Sequence, residues 1–234
     1  MKALVLSLVV ALATTLSVNS QDLTNKKSYV NKYLEANYQV LKSDNKTIEG
    51  VYTITNVMNG KAIAIGKYYN NKPIGNWYFY NFEGELEQKY NYDSKDAPIN
   101  LLLNNKVTYD FGIKIDSSDI IKVPVKIGGI SYGLDFLYLN PNRSVTNEFI
   151  NISVKEAIVT DHLKIDKNGK LYAWETSFKS KRGEKRFLNS IKNLEEYNLN
   201  FIPAYLNGEP ILSEFSITRQ IEYSGGSRIV PYRL

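Results

Sequence analysis

The sequence predicts an α+β protein: an antiparallel β-meander followed by a strand-strand-helix-strand-strand unit. Three observations predict it. From Gly50 onward apolar residues return at every second position, and turn signals crowd the chain at Asn59-Gly60, Asn70-Asn71-Lys72-Pro73 and Glu83-Gly84. Phe187, Leu188, Ile191 and Leu194 follow at helical spacing, between two strand patterns before them and two after. Val30, Tyr33, Leu34, Tyr38 and Leu41 show the same spacing near the start, with Ser28 available as an N-cap.

Residues 1–20 read as a cleavable signal peptide. Lys2 supplies the charge, Ala3 to Leu16 the apolar run, and Ser17-Val18-Asn19-Ser20 the polar end, with the cut expected before Gln21. The alternative is an uncleaved anchor, although the run falls short of the roughly 20 residues needed to span a bilayer. No later segment is long and apolar enough to span one, so the mature chain carries no expected integral span. An N-terminal helix of about four turns is then expected within 21–48, β-repeats over 49–95, a β-rich connector over 96–142 and a C-terminal domain over 143–234.

The meander repeats itself. Gly50-Val-Tyr-Thr-Ile leads to Asn59-Gly60-Lys61-Ala62, and Gly75-Asn-Trp-Tyr-Phe-Tyr leads to Glu83-Gly84-Glu85-Leu86, a period close to 24 residues. In the connector Val123 to Ile127 and Ile130 to Phe136 flank Gly128-Gly129, which reads as a two-residue hairpin, and Asn140-Pro141-Asn142 breaks the chain. Further on, Asp166-Lys-Asn-Gly169 joins two strands, and a helix is expected over Phe187 to Tyr197. Asn207-Gly208-Glu209-Pro210 then turns into a last strand, Ser213 to Tyr223.

Composition narrows the function. With no cysteine, disulfides and thiol catalysis are excluded. The net charge of +5 becomes 28 basic against 24 acidic residues once 1–20 are removed, too mild to demand an acidic partner. The basic run Lys179 to Arg186 lacks interleaved aromatics and reads as a solvated loop, not a nucleic-acid site. No cofactor is expected.

His162 is the only histidine, which removes paired-histidine metal sites, so no metal is expected. Alternating with Leu163, it reads as a half-exposed sheet residue before it reads as a base. No G-x-S-x-G elbow occurs. The carboxylate pairs Glu83/Glu85, Asp116/Asp119 and Glu195/Glu196 sit at turns or helix ends, where solvated acids are common, and Asp166-Lys-Asn168-Gly169 lacks the ligands of a calcium loop. Tyr69, Trp77, Tyr78 and Tyr80 are candidates for a ligand groove, with cross-strand packing as the competing reading.

Two resemblances add to this. Gly66-Lys-Tyr-Tyr-Asn-Asn-Lys-Pro-Ile-Gly75-Asn-Trp77-Tyr-Phe-Tyr80, with Glu83-Gly84-Glu-Leu86 and Tyr90-Asn-Tyr92, resembles MORN-like repeats of the YwqK type over about 49–93. That likeness implies a single-layer or curved sheet with stacked aromatics. Ile165-Asp166-Lys-Asn-Gly169-Lys-Leu171, Phe201-Ile202-Pro203-Ala204 and Asn207-Gly208-Glu-Pro210-Ile211 resemble the TonB C-terminal domain over about 159–223.

The second likeness implies a protein or peptide partner in the cell envelope, paired as an added strand along Ser213 to Tyr223, with Ser216, Thr218 and Gln220 on the polar side of that edge. The expected function is an exported, non-catalytic envelope protein, periplasmic or outer-membrane-associated, that does not transduce energy. A secreted carbohydrate-binding or hydrolytic protein using the aromatic face is the alternative.

Overall fold

The computed structural model describes residues 22–94, 98–100, 107–134, 137, 156–180, 183–192, 194 and 199–222. The expected signal peptide at 1–20 and the expected start of the C-terminal domain at 143–155 lie outside the described residues. Strands make up 60% of the described residues and helix 1%, so the α+β expectation is overturned: the described structure is nearly all β. Among the described residues no helix is long and apolar enough to cross a membrane.

Seven strands form the first sheet in chain order: β1 (Leu23–Tyr29), β2 (Leu34–Leu41), β3 (Ile48–Asn56), β4 (Ala62–Tyr69), β5 (Lys72–Tyr80), β6 (Leu86–Asn91) and β7 (Ile99–Asn100). The N-terminal helix expected within 21–48 is therefore two strands. Leu34, Ala36, Tyr38 and Val40 alternate along one face of β2, and Leu34, Ala36 and Val40 are buried there, a period that serves a sheet and not a helix. Ser28, the expected N-cap, instead stands opposite Ala36 inside the β1–β2 pair.

The repeat extends one unit upstream of the part visible in sequence. Asn31, Asn56 and Asn81 stand 25 residues apart, and each side-chain carbonyl accepts backbone N–H groups from the turn that follows: Tyr33 and Leu34, Met58, and Glu85. Asparagine suits this place because its short side chain closes a turn while the backbone reverses. Between the turns an aromatic ladder crosses the sheet, with centroid separations of 5.5 Å for Tyr38–Tyr52, 4.9 Å for Tyr52–Tyr68, 5.4 Å for Tyr68–Trp77 and 5.7 Å for Trp77–Tyr92. Gly66 makes room for it. A Cβ at that position would lie 2.1 Å from the Trp77 indole.

The C-terminal half adds β8 (Val107–Asp110), β9 (Ile121–Lys122), β10 (Glu156–Ile165), β11 (Leu171–Ser180), β12 (Gly183–Asn189), β13 (Ala204–Leu206), β14 (Glu209–Ile211) and β15 (Ser213–Glu222). Five of them pair antiparallel in the order β12-β11-β10-β15-β8, and β14-β13-β9 form a small third sheet. The turns expected at Asp166 to Gly169 and at Asn207-Gly208 are present: Asp166 Oδ1 accepts the N–H groups of Asn168 and Lys170, and both Asn207 and Gly208 take positive φ.

The expected strand-strand-helix-strand-strand layout is not. Phe187 and Leu188 belong to β12, where the Phe187 ring meets Phe178 edge-on at 5.7 Å, while Leu188 is 76% exposed. Ile191 and Leu194 pack on the core formed by Leu163, Ile165, Leu171, Trp174, Phe215 and Ile217, and residues 193 and 195–197 of the expected helix lie outside the described residues.

No hairpin forms at Gly128-Gly129. The stretch 126–134 is a series of turns that joins the two halves: Ile127 and Tyr132 pack against the core of the first sheet, Ile130 and Leu134 against that of the second. Two neighbours on β6 hold it. Gln88 donates to the Lys126 carbonyl at 3.0 Å and accepts from Gly128 N–H at 2.8 Å, and the Glu87 carboxylate accepts from Ile130 N–H at 2.7 Å and Ser131 N–H at 3.2 Å. Glu87 sits on a bulge between the pairs Phe79–Gln88 and Tyr80–Leu86, the place that Ile63 takes one repeat earlier. Bulges re-aim side chains. This one turns a carboxylate inward where the preceding repeat buries an isoleucine.

Burial pushes the Glu87 carboxyl above its ordinary value, against the two amide donors that favour its charge. The folded state therefore holds this proton more tightly than the unfolded chain. Its contribution runs opposite to ordinary acid denaturation: stability rises as pH falls from the raised native value toward about 4.3, the unperturbed glutamate value. Urea unfolding midpoints at stepped pH are expected to show this gain in the native protein and to lose it in Glu87→Gln, which keeps an acceptor and has no charge to titrate. An identical pH slope in the two proteins would show that Glu87 does not carry the effect.

Candidate functional site

Along β10 the side chains alternate between two environments, and they place chemistry on both. Val159, Asp161, Leu163 and Ile165 are buried on the core face. Thr160, His162 and Lys164 point the other way, level with Ser177, Glu175 and Ala173 on β11 and with Thr218, Ser216 and Glu214 on β15.

His162 lies at the centre of this outer row. Its Nδ1 is 2.7 Å from Glu214 Oε1 and 3.0 Å from Ser216 Oγ, and its Nε2 is 3.3 Å from Ser177 Oγ. A carboxylate only accepts, so a proton belongs on Nδ1, and in the neutral ring Nε2 is the acceptor facing the Ser177 hydroxyl. Ser216 also donates to Glu214 Oε1 at 2.9 Å. His162 and Glu214 side chains are 21% and 25% exposed, while Ser177 and Ser216 are buried. The small serines form a floor beneath an imidazole that is held on both nitrogens and still reaches solvent.

Directly beneath, on the core face, Asp161 is fully buried. It accepts from Trp174 Nε1 at 2.9 Å and from the Thr176 hydroxyl at 2.6 Å, and it pairs with the Arg219 guanidinium. Asn189 extends the network from β12 by donating to Thr176 at 2.7 Å. This charged knot ties β10, β11, β12 and β15 in register and so fixes the floor on which His162 stands.

Of the expected partner-binding residues, Ser216 lies on an interior stretch of β15, while at Thr218 and Gln220 only the β10 side of the strand is paired among the described residues. Ser216 belongs to the His162 cluster and faces Thr108 of β8; Thr218 Oγ1 lies 3.0 Å from Thr160 Oγ1; and Gln220 pairs in register with Ile158 of β10. From Glu214 to Ile217, β15 is an interior strand with β10 on one side and β8 on the other. The expected ligand groove divides. Trp77 is 2% exposed on the inner face, donating its indole N–H to the Lys67 carbonyl at 3.2 Å. Tyr69, Tyr78 and Tyr80 project from the opposite face. Tyr78 stands level with Ile65, four residues from Tyr69 along β4, so the two tyrosines are roughly 13 Å apart.

No protein-family model, curated protein or solved structure matches the chain. Its chemistry therefore has to be read from its own residues. Among the described residues no group of three or more His, Asp or Glu side chains is placed to hold a metal ion.

His162 was visible in the sequence as the sole histidine, but its partners were not. Ser177 and Glu214 reach it only through the β10–β11 and β10–β15 registers, and neither register can be read from local spacing. An imidazole oriented by a carboxylate and aimed at a hydroxyl is the arrangement that activates a nucleophile.

Proposed function

We propose that the chain is an exported protein of the cell envelope that binds a protein or peptide partner by edge-strand pairing, without energy transduction. The observation that carries this reading is the outer side of β12. That strand ends the five-stranded sheet, and no described strand lies beyond it. An open edge offers unpaired backbone donors and acceptors to an extended segment, whose alternate side chains then supply selectivity. Glu184, Lys185 and Arg186 guard the edge against indiscriminate pairing, as charges on edge strands do, and Leu188 leaves one apolar position exposed. On this reading the pairing edge is β12, three strands away from the expected Ser213 to Tyr223.

The test is a pull-down from envelope extract with the native protein and with Leu188→Pro, followed by hydrogen exchange with the purified partner. A partner lost by the proline variant and protecting amides 183–189 is the expected result. Recovery of the same proteins by both forms, or protection elsewhere, would sink the reading.

A further inference from the structure

The geometry points to a hydrolytic centre for short O-acyl esters on the outer face of the five-stranded sheet, with Ser177 as nucleophile, His162 as base and Glu214 as the group that positions the base. It differs from strand pairing at β12, which draws on that strand's outer backbone groups, although Arg186 of β12 takes part in the centre.

Two of the three contacts that such a centre requires are already formed. His162 Nδ1 donates to Glu214 at 2.7 Å, and His162 Nε2 faces Ser177 Oγ at 3.3 Å, a separation typical of an unliganded nucleophile–base pair that tightens when substrate binds. The third requirement is a donor for the oxygen that becomes negative. The Ser177 amide lies within an interior strand and does not supply it. Arg186 does: it stands directly opposite Ser177 in the β11–β12 register. Its guanidinium has five N–H donors, and its named bonds run from Nε to Glu184 at 2.9 Å and from Nη1 to Glu175 at 3.3 Å. A guanidinium is a recognised stabiliser of developing negative charge on oxygen.

The step balances with water as the only co-reactant. Ser177 Oγ bonds to the acyl carbon while its proton passes to His162 Nε2. The ester C–O bond then breaks, and the leaving alcohol oxygen takes that proton. Water repeats the sequence on the acyl-serine, releasing the carboxylic acid and restoring Ser177. The sheet face around Ser177 is largely polar, with Thr160, Glu175 and Ser216 close by and the exposed Leu188 level with Glu175. It suits an acyl group of acetyl size carried on a larger molecule and disfavours a long chain.

The experiment uses the full chain with p-nitrophenyl acetate and octanoate, and a fluorophosphonate probe located by mass spectrometry. Acetate turnover at least tenfold above Ser177→Ala, poorer use of octanoate and label on Ser177 are expected. Glu214→Gln is expected to lower kcat with little change in KM and to shift the pH profile, which loss of packing alone would not do. Turnover equal to that of Ser177→Ala, or label on any other residue, overturns the assignment. The labelling result on the native protein decides the matter even if a variant fails to fold, and neither outcome bears on binding at β12.

Discussion

Trp77→Ala is expected to destabilise the protein by about 3–5 kcal/mol, the range for deleting a large buried aromatic side chain. The ring is almost completely enclosed, lies against Gly66, and touches Tyr52, Tyr68, Phe79 and Tyr92 with centroid separations of 5.4 to 6.0 Å. Its removal takes away the middle rung of the ladder and leaves the Lys67 carbonyl without its indole donor. Urea unfolding followed by near-ultraviolet circular dichroism measures the loss. A change below about 1 kcal/mol would mean that the ladder is loosely packed and would return Trp77 to the list of surface ligand contacts.

Asp161→Ala is expected to cost a similar amount, about 3–5 kcal/mol, because breaking a buried ion pair strands the remaining charge. Arg219 would keep its guanidinium in the interior without its carboxylate, and Trp174 Nε1 and the Thr176 hydroxyl would each lose an acceptor. Pairing the change with Arg219→Met separates the causes. If the stranded charge dominates, the double variant regains much of the lost stability, since apolar replacement of a whole buried pair is often close to neutral. If it regains nothing, the hydrogen bonds to Trp174 and Thr176 are the larger part. A single-variant cost near zero would show that Asp161 does not hold the four strands in register.

Much of the meander could be read in advance because its signals are local. Turn dipeptides, alternation and a period near 24 residues place β3 to β6, and the turns at Asp166 and Asn207 need only their own side chains and glycines. The helices failed for a common reason. In β2 the set Leu34, Ala36, Tyr38 and Val40 fits period two, whereas Tyr33, Leu34, Tyr38 and Leu41 fit a helix, and only the presence of β3 as a partner decides between them. Around β12, Ile191 and Leu194 do reach the core, but Leu188 faces solvent, which a helix burying all three would not allow.

The candidate site was less legible still. Ser216 and Thr218 were singled out for an edge that β8 in part covers. Ser177 carried no motif, and Glu214 sits 52 residues from the imidazole that it orients. Sites assembled across strands depend on register, which the chain settles only on folding.

The two halves of the chain also differ in when they can form. In the first sheet every strand pairs only with its neighbours in the chain, from β1 through β7. Such local closure costs little loop entropy and proceeds quickly. In the second, β15 must return to lie between β10 and the far earlier β8, with Glu214 opposite Asp110, so that sheet waits for the last described strand. A chain emerging from its N-terminus would thus complete the aromatic ladder first, and the inward-turned Glu87 and Gln88 would stand ready for the 126–134 turns before the other half existed. The order of assembly follows from topology alone: a finished platform, then the sheet that carries His162.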